Sequence, residues 1–382
     1  HQDRTPQGPT MKFAIERADL VKAVSQAQSV VERRNTIPIL ANVLIETTPE
    51  GVSLRATDLD TEIVYRTTAR VERQGATTVS AALLNDIARK LPDGALVQIT
   101  LDPESGRLGV QAGRTSFSLA TLPREDFPVM SAAEYASRFA APAALLRRLF
   151  DKSRFAISTE ETRYYLNGVF MHVAQGEDGA ALRCVATDGH RLARIDAPLP
   201  EGADQMPGVI VPRKTVAELR KLFEDDEAPI EVAVSETKLR FSTPAMTLTS
   251  KVIDGTFPDY ARVIPLANAR RLEVDAGDFA RAVDRVATVS SERSRAVKLA
   301  LDEDRLVLSV NAPESGAAEE ELPVAYADEP LEIGFNARYL HEIASQIERE
   351  NAVFLFNGPG DAALIREGGD TSAVYVVMPM RV

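Results

Sequence analysis

One pattern recurs three times along the chain. With Phe13, Phe139 and Leu272 in register, each is followed by an apolar residue seven positions on (Leu20, Leu146, Phe279) and another eleven on (Val24, Phe150, Val283). Each copy then reaches a second helical segment with an apolar pair three apart: Leu84 and Ile87, Val216 and Leu219, Leu340 and Ile343. Each closes on a strand and a proline, at Phe127-Pro128, Phe257-Pro258 and Met378-Pro379. A period of roughly 120 to 130 residues is domain-sized, well beyond the 20 to 50 of a solenoid unit. The chain is therefore predicted to be three similar domains in tandem, over residues 11–131, 137–265 and 270–382, with linkers near residues 129–138 and 266–271.

Within each copy the pattern predicts an α+β unit. Leu20, Val24, Ala27 and Val31 keep a helical stripe, as do Leu145 and Leu149, and Phe279, Val283 and Val286. Alternating runs such as VSLRAT, TEIVYRT, KLRFS, TLTSKV and RLVLSV predict half-buried antiparallel strands, with turns at Pro49-Glu50-Gly51, Pro92-Asp93-Gly94 and Asp254-Gly255. Two helices would cover one face of the strands in each domain and turn their polar sides outward together. The length of 382 residues suits two to three domains, and 45% apolar residues supply a core for each.

The remaining composition narrows the setting. No apolar run approaches the roughly 18 residues of a membrane span, and the polar start lacks a signal-peptide core, so a soluble cytosolic protein is expected. The first ten residues, HQDRTPQGPT, read as a cloning remnant before a natural start at Met11. The lone Cys184, in LRCVAT, reads as a small core residue on a buried strand.

A net charge of −12 argues against a surface that grips nucleic acid everywhere. Acidic residues collect in loop-like runs, Glu224 to Glu227 and Glu319 to Glu321, whereas basic residues flank the helical stripes: Lys22, Arg89 and Lys90; Arg147, Arg148, Lys152, Lys214, Arg220 and Lys221; Arg281 and Arg285. Ordinary solvated helix faces would give this pattern; so would helices sharing one basic surface. The last helix departs from it, with Arg338 and Arg349 but also His341, Glu342 and Glu348.

Catalytic motifs are scarce. There is no GxxxxGK loop, no HExxH and no cysteine pair. Asp188 and His190 in ATDGHRLA invite a hydrolase reading, but no serine or cysteine nucleophile accompanies them, and Thr187-Asp188-Gly189 are turn formers. Ala56-Thr57-Asp58 stands at the same place in the first copy. A structural scaffold that oligomerises without DNA is the other reading from a different class.

Seven segments, in order, carry a close resemblance to one family: TIPILANVLIE from Thr36, RYYLNGV from Arg163, VATDGHRLA from Val185, IVPRK from Ile210, KVIDGTFPDYARVIP from Lys251, IGFNARY from Ile333, and the terminal YVVMPMRV. From Met11 to Val382 the chain resembles the bacterial sliding clamp, the beta subunit of DNA polymerase III. The resemblance implies a DNA clamp fold, α+β with three tandem antiparallel domains. It also implies a head-to-tail homodimer closed into a ring of six domains around duplex DNA. Such a ring is a non-catalytic processivity factor without cofactor or metal. It is opened by a separate ATP-driven clamp loader and tethers the replicative polymerase alpha subunit, other polymerases and repair proteins through a peptide pocket. Its setting is the bacterial cytoplasm, at the nucleoid during replication, without a membrane.

The family's functional positions carry over by motif. The peptide pocket falls on Leu166, Thr187, Gly189, His190, Arg191, Leu192, Pro258, Arg262, Val263, Val376, Met378, Pro379, Met380 and Arg381. DNA contacts fall on Arg34, Arg163, Tyr164, Tyr165, Arg213 and Lys214; the tyrosine pair could stack on exposed bases. The dimer interface sets Arg114, Phe117 and Leu119 of the first domain against Val289, Glu319 and Glu320 of the third. Three departures stand out: Val382 where leucine is common, Ala362 where serine is common, and Ser116 where relatives are more basic.

Overall fold

The aligned apolar positions are all buried, so each repeat is built around the same small core. The structure, a computed structural model, describes residues 8–224, 229–349 and 351–382; most of the segment expected to be a remnant, and most of the acidic run at Glu224 to Glu227, lie outside them. Each repeat carries two α-helices: α1 (Arg17–Gln28) and α2 (Ala81–Lys90), α3 (Ala143–Asp151) and α4 (Arg213–Leu222), α5 (Ala276–Val286) and α6 (Ala337–Ala344). α1 stops at Gln28, so the stripe residue expected at Val31 lies past its end, and Val30 is buried instead.

The strands ignore the repeat boundaries. One sheet runs Thr121–Leu122, Ala76–Ser80, Asn42–Thr47, Gly51–Thr57 and Thr61–Thr68 from the first repeat, then continues into Met246–Lys251, Lys238–Ser242, Pro229–Val234 and Ser137–Pro142 of the second. A second sheet joins Val209–Pro212, Gly168–Gly176, Gly179–Thr187 and Arg191–Pro198 to Ala373–Val377, Ala363–Glu367, Asn351–Phe356, Arg270–Asp275 and Ala325–Tyr326 of the third repeat. The chain accordingly separates into two compact units, one through Ala144 plus Ala217–Val252, the other Leu145–Val216 plus Ile253–Val382. Each unit thus takes half of the middle repeat.

Each unit also holds a smaller sheet with an unpaired edge. In the first it runs Arg70–Arg73, Met11–Glu16, Leu96–Leu101, Leu108–Ala112 and Thr115–Leu119. In the second it runs Gly316–Pro323, Arg305–Ala312, Ala296–Asp302 and Leu331–Asn336. Glu319 to Glu321, read from sequence as a loop, lie on the edge strand Gly316–Pro323; charges along an edge strand keep it from pairing indiscriminately.

The closing prolines also differ from expectation. Only Met378-Pro379 follows directly on a strand; Phe127 and Phe257 come after loops and are buried in satellite clusters, whereas Met378 is 44% exposed. Phe279 is fully buried and tilted against Phe354 with ring centroids 5.0 Å apart. Phe279→Ala should cost about 3 to 5 kcal/mol, seen as a lower urea midpoint for the transition that reports the second unit.

Candidate functional site

The second unit's junction strands meet with Leu192 opposite Val376 and Arg191 opposite Val377. Alternation sends Leu192 and Val376 to the same face, where they join Leu166, Val185, Ile210, Phe257 and Ile264 in a buried apolar cluster. Tyr165, Phe170, Tyr260, Ala362 and Leu364 pack partly buried against it. Around this floor the chain leaves apolar groups in water: Val263 is 53% exposed, Met380 39% and Val382 64%, in addition to Met378. Solvated methionines are adaptable contact surface, since their unbranched side chains repack at small cost.

The tail is held by its backbone. The Met378 N–H donates to His190 O at 2.9 Å, Pro379 has no N–H to give, and the Met380 N–H donates to Gly334 O at 2.7 Å. Val382 lies across Gly334: a Cβ there would sit 2.2 Å from Val382 Cγ1 and 2.8 Å from Met380 O. Glycine at 334 is what lets the tail approach.

The turn facing the tail is set by Asp188. Its Oδ1 accepts the N–H of His190 (2.9 Å) and of Arg191 (3.0 Å), and Oδ2 accepts Arg191 Nε at 3.1 Å. Both carboxylate oxygens thus already accept hydrogen bonds, Oδ1 from the turn backbone and Oδ2 from the Arg191 side chain. Gly189 has φ +87°, and a Cβ there would meet Arg163 Nη1 at 2.8 Å. His190 is exposed and stacks on Tyr339 of α6 with centroids 6.3 Å apart.

Arg191, expected in the pocket wall, turns its guanidinium inward. It is 7% exposed, donates to Glu342 and to Phe155 O (2.9 Å), and lies 4.2 Å over the Tyr339 ring. Arg262 is the contrary case, an exposed cation paired with Asp259 at 3.0 Å. Tyr339, Gly334 and Glu342 were missed in the sequence reading, although the IGFNARY segment carries the first two. The contacts of Tyr339 and Glu342 with the turn span about 150 positions of chain, as between Arg191 and Glu342, and no local pattern reports such a pairing.

The candidate DNA residues divide. Arg34, Arg163 and Tyr164 are exposed, and Tyr164 meets Tyr165 edge-on at 5.7 Å. Arg213 is spoken for in part: its Nη2 donates to Ser158 O and Ile157 O, and burial pulls its pKa down. Lys214 is half-buried. Two of the cations that flank the helical stripes, expected on a solvated or a shared basic face, turn inward. Arg148 donates to Asp196 O at 3.0 Å and Ser372 Oγ at 2.7 Å, and Lys152 to Gln346 O, with its pKa lowered by burial.

The interface candidates sit at one edge of each smaller sheet. Arg114 is exposed beside Thr115–Leu119, Phe117 is half-buried on it, and Leu119 is buried in its own domain. Glu319 and Glu320 lie on Gly316–Pro323, and Val289 Cγ1 is 3.9 Å from where a Cβ would stand at Gly316. Glu320 accepts both Arg285 Nε and Nη2 at 2.7 Å, which holds its carboxyl below the usual range.

Comparison with known proteins gives one family. Residues 11–131, 140–259 and 261–381 match the N-terminal, central and C-terminal domains of the DNA polymerase III beta subunit. The beta sliding clamp of Caulobacter vibrioides is 52% identical over 372 residues, 97% of this chain and 100% of that relative. That of Escherichia coli K12 is 37% identical over the same coverage. Among solved structures, the Caulobacter crescentus beta sliding clamp, with PEG bound to a putative beta-motif tethering region, has a TM-score of 0.95 at 52% identity, covering 98% of this chain and 100% of that one. A Bartonella birtlesii clamp bound to griselimycin has a TM-score of 0.94 at 48% identity, covering 97% and 100%.

The Arg191 network yields a stability prediction. Its guanidinium is the buried counter-charge of Asp188 and Glu342, so Arg191→Ala should destabilise the second unit by about 3 to 5 kcal/mol. Chemical denaturation checks it: a loss under about 1 kcal/mol, the range of surface ion pairs, would place Arg191 on the solvated rim after all.

Proposed function

The chain belongs to the DNA polymerase III beta subunit family, and from that premise we propose that two copies close head to tail into a ring. The ring encircles duplex DNA, slides along it and tethers partner proteins by short peptides. The observation that carries closure is the repeated use of one strand pairing. Thr61–Thr68 takes Met246–Lys251, and Arg191–Pro198 takes Ala373–Val377. Gly316–Pro323 and Thr115–Leu119 are the corresponding edges left over, and a second copy supplies each with its partner. Arg114, Phe117 and Leu119 then face Val289, Glu319 and Glu320.

A closed ring needs no tight grip. Sequence-independent contacts from Arg34, Arg163, Tyr164, Tyr165, Arg213 and Lys214 suffice, because topology prevents escape. The partners are duplex DNA, a second copy, an ATP-driven loader, the polymerase alpha subunit, and other polymerases and repair proteins with clamp-binding peptides; the setting is the bacterial cytoplasm. The role is non-catalytic, in keeping with the hydrogen bonds that both Asp188 oxygens already accept. The three domains are proposed to span residues 11–131, 137–265 and 270–382. The pocket is proposed to be the apolar floor of Leu166, Leu192 and Val376 with a wall of Pro258, Arg262, Val263, Met378, Pro379, Met380 and Arg381, edged by Thr187, Gly189, His190 and Arg191. Griselimycin, bound by the Bartonella birtlesii relative, is expected to bind this chain also.

Two experiments test this reading. Phe117→Ala should weaken the dimer by about 3 to 5 kcal/mol if the ring is buried on closure. Sedimentation at nanomolar concentration reports it, and an unchanged dimer would count against the edge pairing. Deleting Met378–Val382 should abolish binding of a short extended peptide carrying a glutamine and two apolar anchors, normally about micromolar, near −8 kcal/mol. The truncated protein should still be retained on nicked circular DNA and lost once that DNA is linearised. Calorimetry showing intact peptide affinity after truncation would rule out the pocket.

A further inference from the structure

The segment that supplies Pro258, Arg262 and Val263 is a loop with one short 3₁₀ turn, Tyr260–Val263, and no strand pairing of its own. Its apolar ends, Phe257 and Ile264, enter the buried cluster, but the three wall residues between them are exposed. Something must fix the middle of this loop. Tyr260 alone reaches back from it onto the sheet. Its hydroxyl lies 2.8 Å from His172 Nε2 and accepts from Arg183 Nη1 at 3.1 Å. His172 Nδ1 is 3.0 Å from Val173 O, a contact only an N–H can make, so Nε2 is the bare nitrogen that accepts the phenol proton. Arg183 is fixed in turn by Asp196, with Nε to Oδ1 at 2.6 Å and Nη2 to Oδ2 at 2.9 Å.

The histidine is fixed too. It stacks on Phe170 at 4.5 Å, and Phe170 stacks on Phe257 at 4.9 Å. Gly208 closes over the pair: a Cβ there would lie 2.9 Å from Phe170 Cε2 and 3.3 Å from His172 Cβ. Burial keeps the His172 pKa below its usual value, consistent with a neutral acceptor. Burial alone would lower that of Arg183, but the hydrogen bonds to Asp196 and Tyr260 hold it above the usual value.

We propose that Tyr260 is a positioning residue for peptide recognition, a latch that docks the wall loop onto the His172, Arg183 and Asp196 chain and so pre-orders Pro258, Arg262 and Val263 for the incoming peptide. This rests on the pocket reading above. The latch touches no ligand. It acts by removing loop-ordering cost from the binding step, the general source of affinity in a pre-organised site.

The test uses the full-length protein and a fluorescently labelled peptide carrying a glutamine and two apolar anchors. Tyr260→Phe deletes only the hydroxyl and should weaken the peptide roughly fivefold to tenfold. Amide exchange should rise in residues 257–264 while the rest of the second unit is unchanged. His172→Phe keeps the ring stack but removes the acceptor and should give part of that loss, the bond from Arg183 remaining, whereas His172→Gln, which restores an acceptor, should recover most of it. The double variant Tyr260→Phe with His172→Phe should be no worse than Tyr260→Phe alone, because loss of the hydroxyl already removes the bond to His172. Additive losses, or wild-type affinity and exchange in Tyr260→Phe, would overturn the latch. If the wild-type protein itself failed to bind the peptide, the pocket reading would fall instead, and loop exchange would still report whether the hydroxyl holds the loop.

Discussion

Everything in this chain depends on one strand pairing made where two repeats meet. An antiparallel sheet with a free edge exposes a row of unpaired N–H and C=O groups, and a domain this small cannot cover that row itself. The repeats solve the problem mutually. Thr61–Thr68 presents residues 61 to 65 to residues 250 to 246, and Arg191–Pro198 presents 191 to 195 to 377 to 373. Continuous main-chain hydrogen bonding across the repeat boundary makes the sheet, not the repeat, the unit of packing. This is why the compact units cut through the middle repeat. Two such junctions are satisfied within the chain; on the proposed closure, a second copy satisfies the third.

The two satisfied junctions share a backbone and differ in chemistry. In the turn at the first, Thr57 Oγ1 donates to Thr61 O at 2.9 Å and Asp58 Oδ1 takes the Asp60 and Thr61 N–H groups; at the second, Thr187 Oγ1 donates to Arg191 O at 2.7 Å and Asp188 does the same for His190 and Arg191. The Lys251 N–H donates to Asp60 O at 2.8 Å just as that of Met378 donates to His190 O. Yet the facing pair is Glu62 and Thr249 at the first junction but Leu192 and Val376 at the second. Glu62 is buried against Arg55 at 2.7 Å, so the first floor is polar and closed by an ion pair. Leu59, 41% exposed at φ +80°, stands where the second turn has Gly189. A side chain at that left-handed position costs backbone strain, whereas Gly189 adopts it freely and leaves room for Arg163. Of these two junctions, the second is therefore the one with an apolar floor.

What was legible in the sequence followed the range of the interaction. Apolar spacing within a repeat is local, so Phe13, Leu20 and Val24 and their counterparts reported helices and cores correctly. Turn chemistry is local as well: Pro92-Asp93-Gly94 closes with Ala95 N–H to Pro92 O at 3.2 Å and Gly94 at φ +75°. Pairing between distant strands leaves no such trace, and nothing in the repeat pattern foretold that two sheets would cross from one repeat into the next. Side-chain direction was equally hidden. Arg148 and Lys152 fitted a solvated or shared basic helix face and Arg191 a pocket wall, until carbonyls, a serine hydroxyl and carboxylates contributed from far along the chain turned them inward; Arg213, matched to a DNA contact, stays exposed but gives its Nη2 to Ser158 O. The proposed pocket residues come from motif resemblance alone, since terminal Met378 to Val382 would otherwise read as the end of a buried strand.

The balance of charge fits a protein that must hold without gripping. A binder that neutralises six to ten phosphates loses roughly 10³ to 10⁵ in affinity between 50 and 200 mM salt, and at low salt it would be too tight to move. A chain of net charge −12 cannot be such a binder over its whole surface. The inward turn of Arg148 and Lys152 reduces the cations free to grip still further, because a guanidinium bonded to Asp196 O and Ser372 Oγ cannot also be given to phosphate without breaking the fold. On the proposed closure, persistence on DNA comes from the strands that seal the ring, and the remaining basic groups need only guide. Stability of the edge pairing and residence on DNA then become one quantity, set by main-chain hydrogen bonds and the apolar Phe117 segment, both far less sensitive to salt than a phosphate contact.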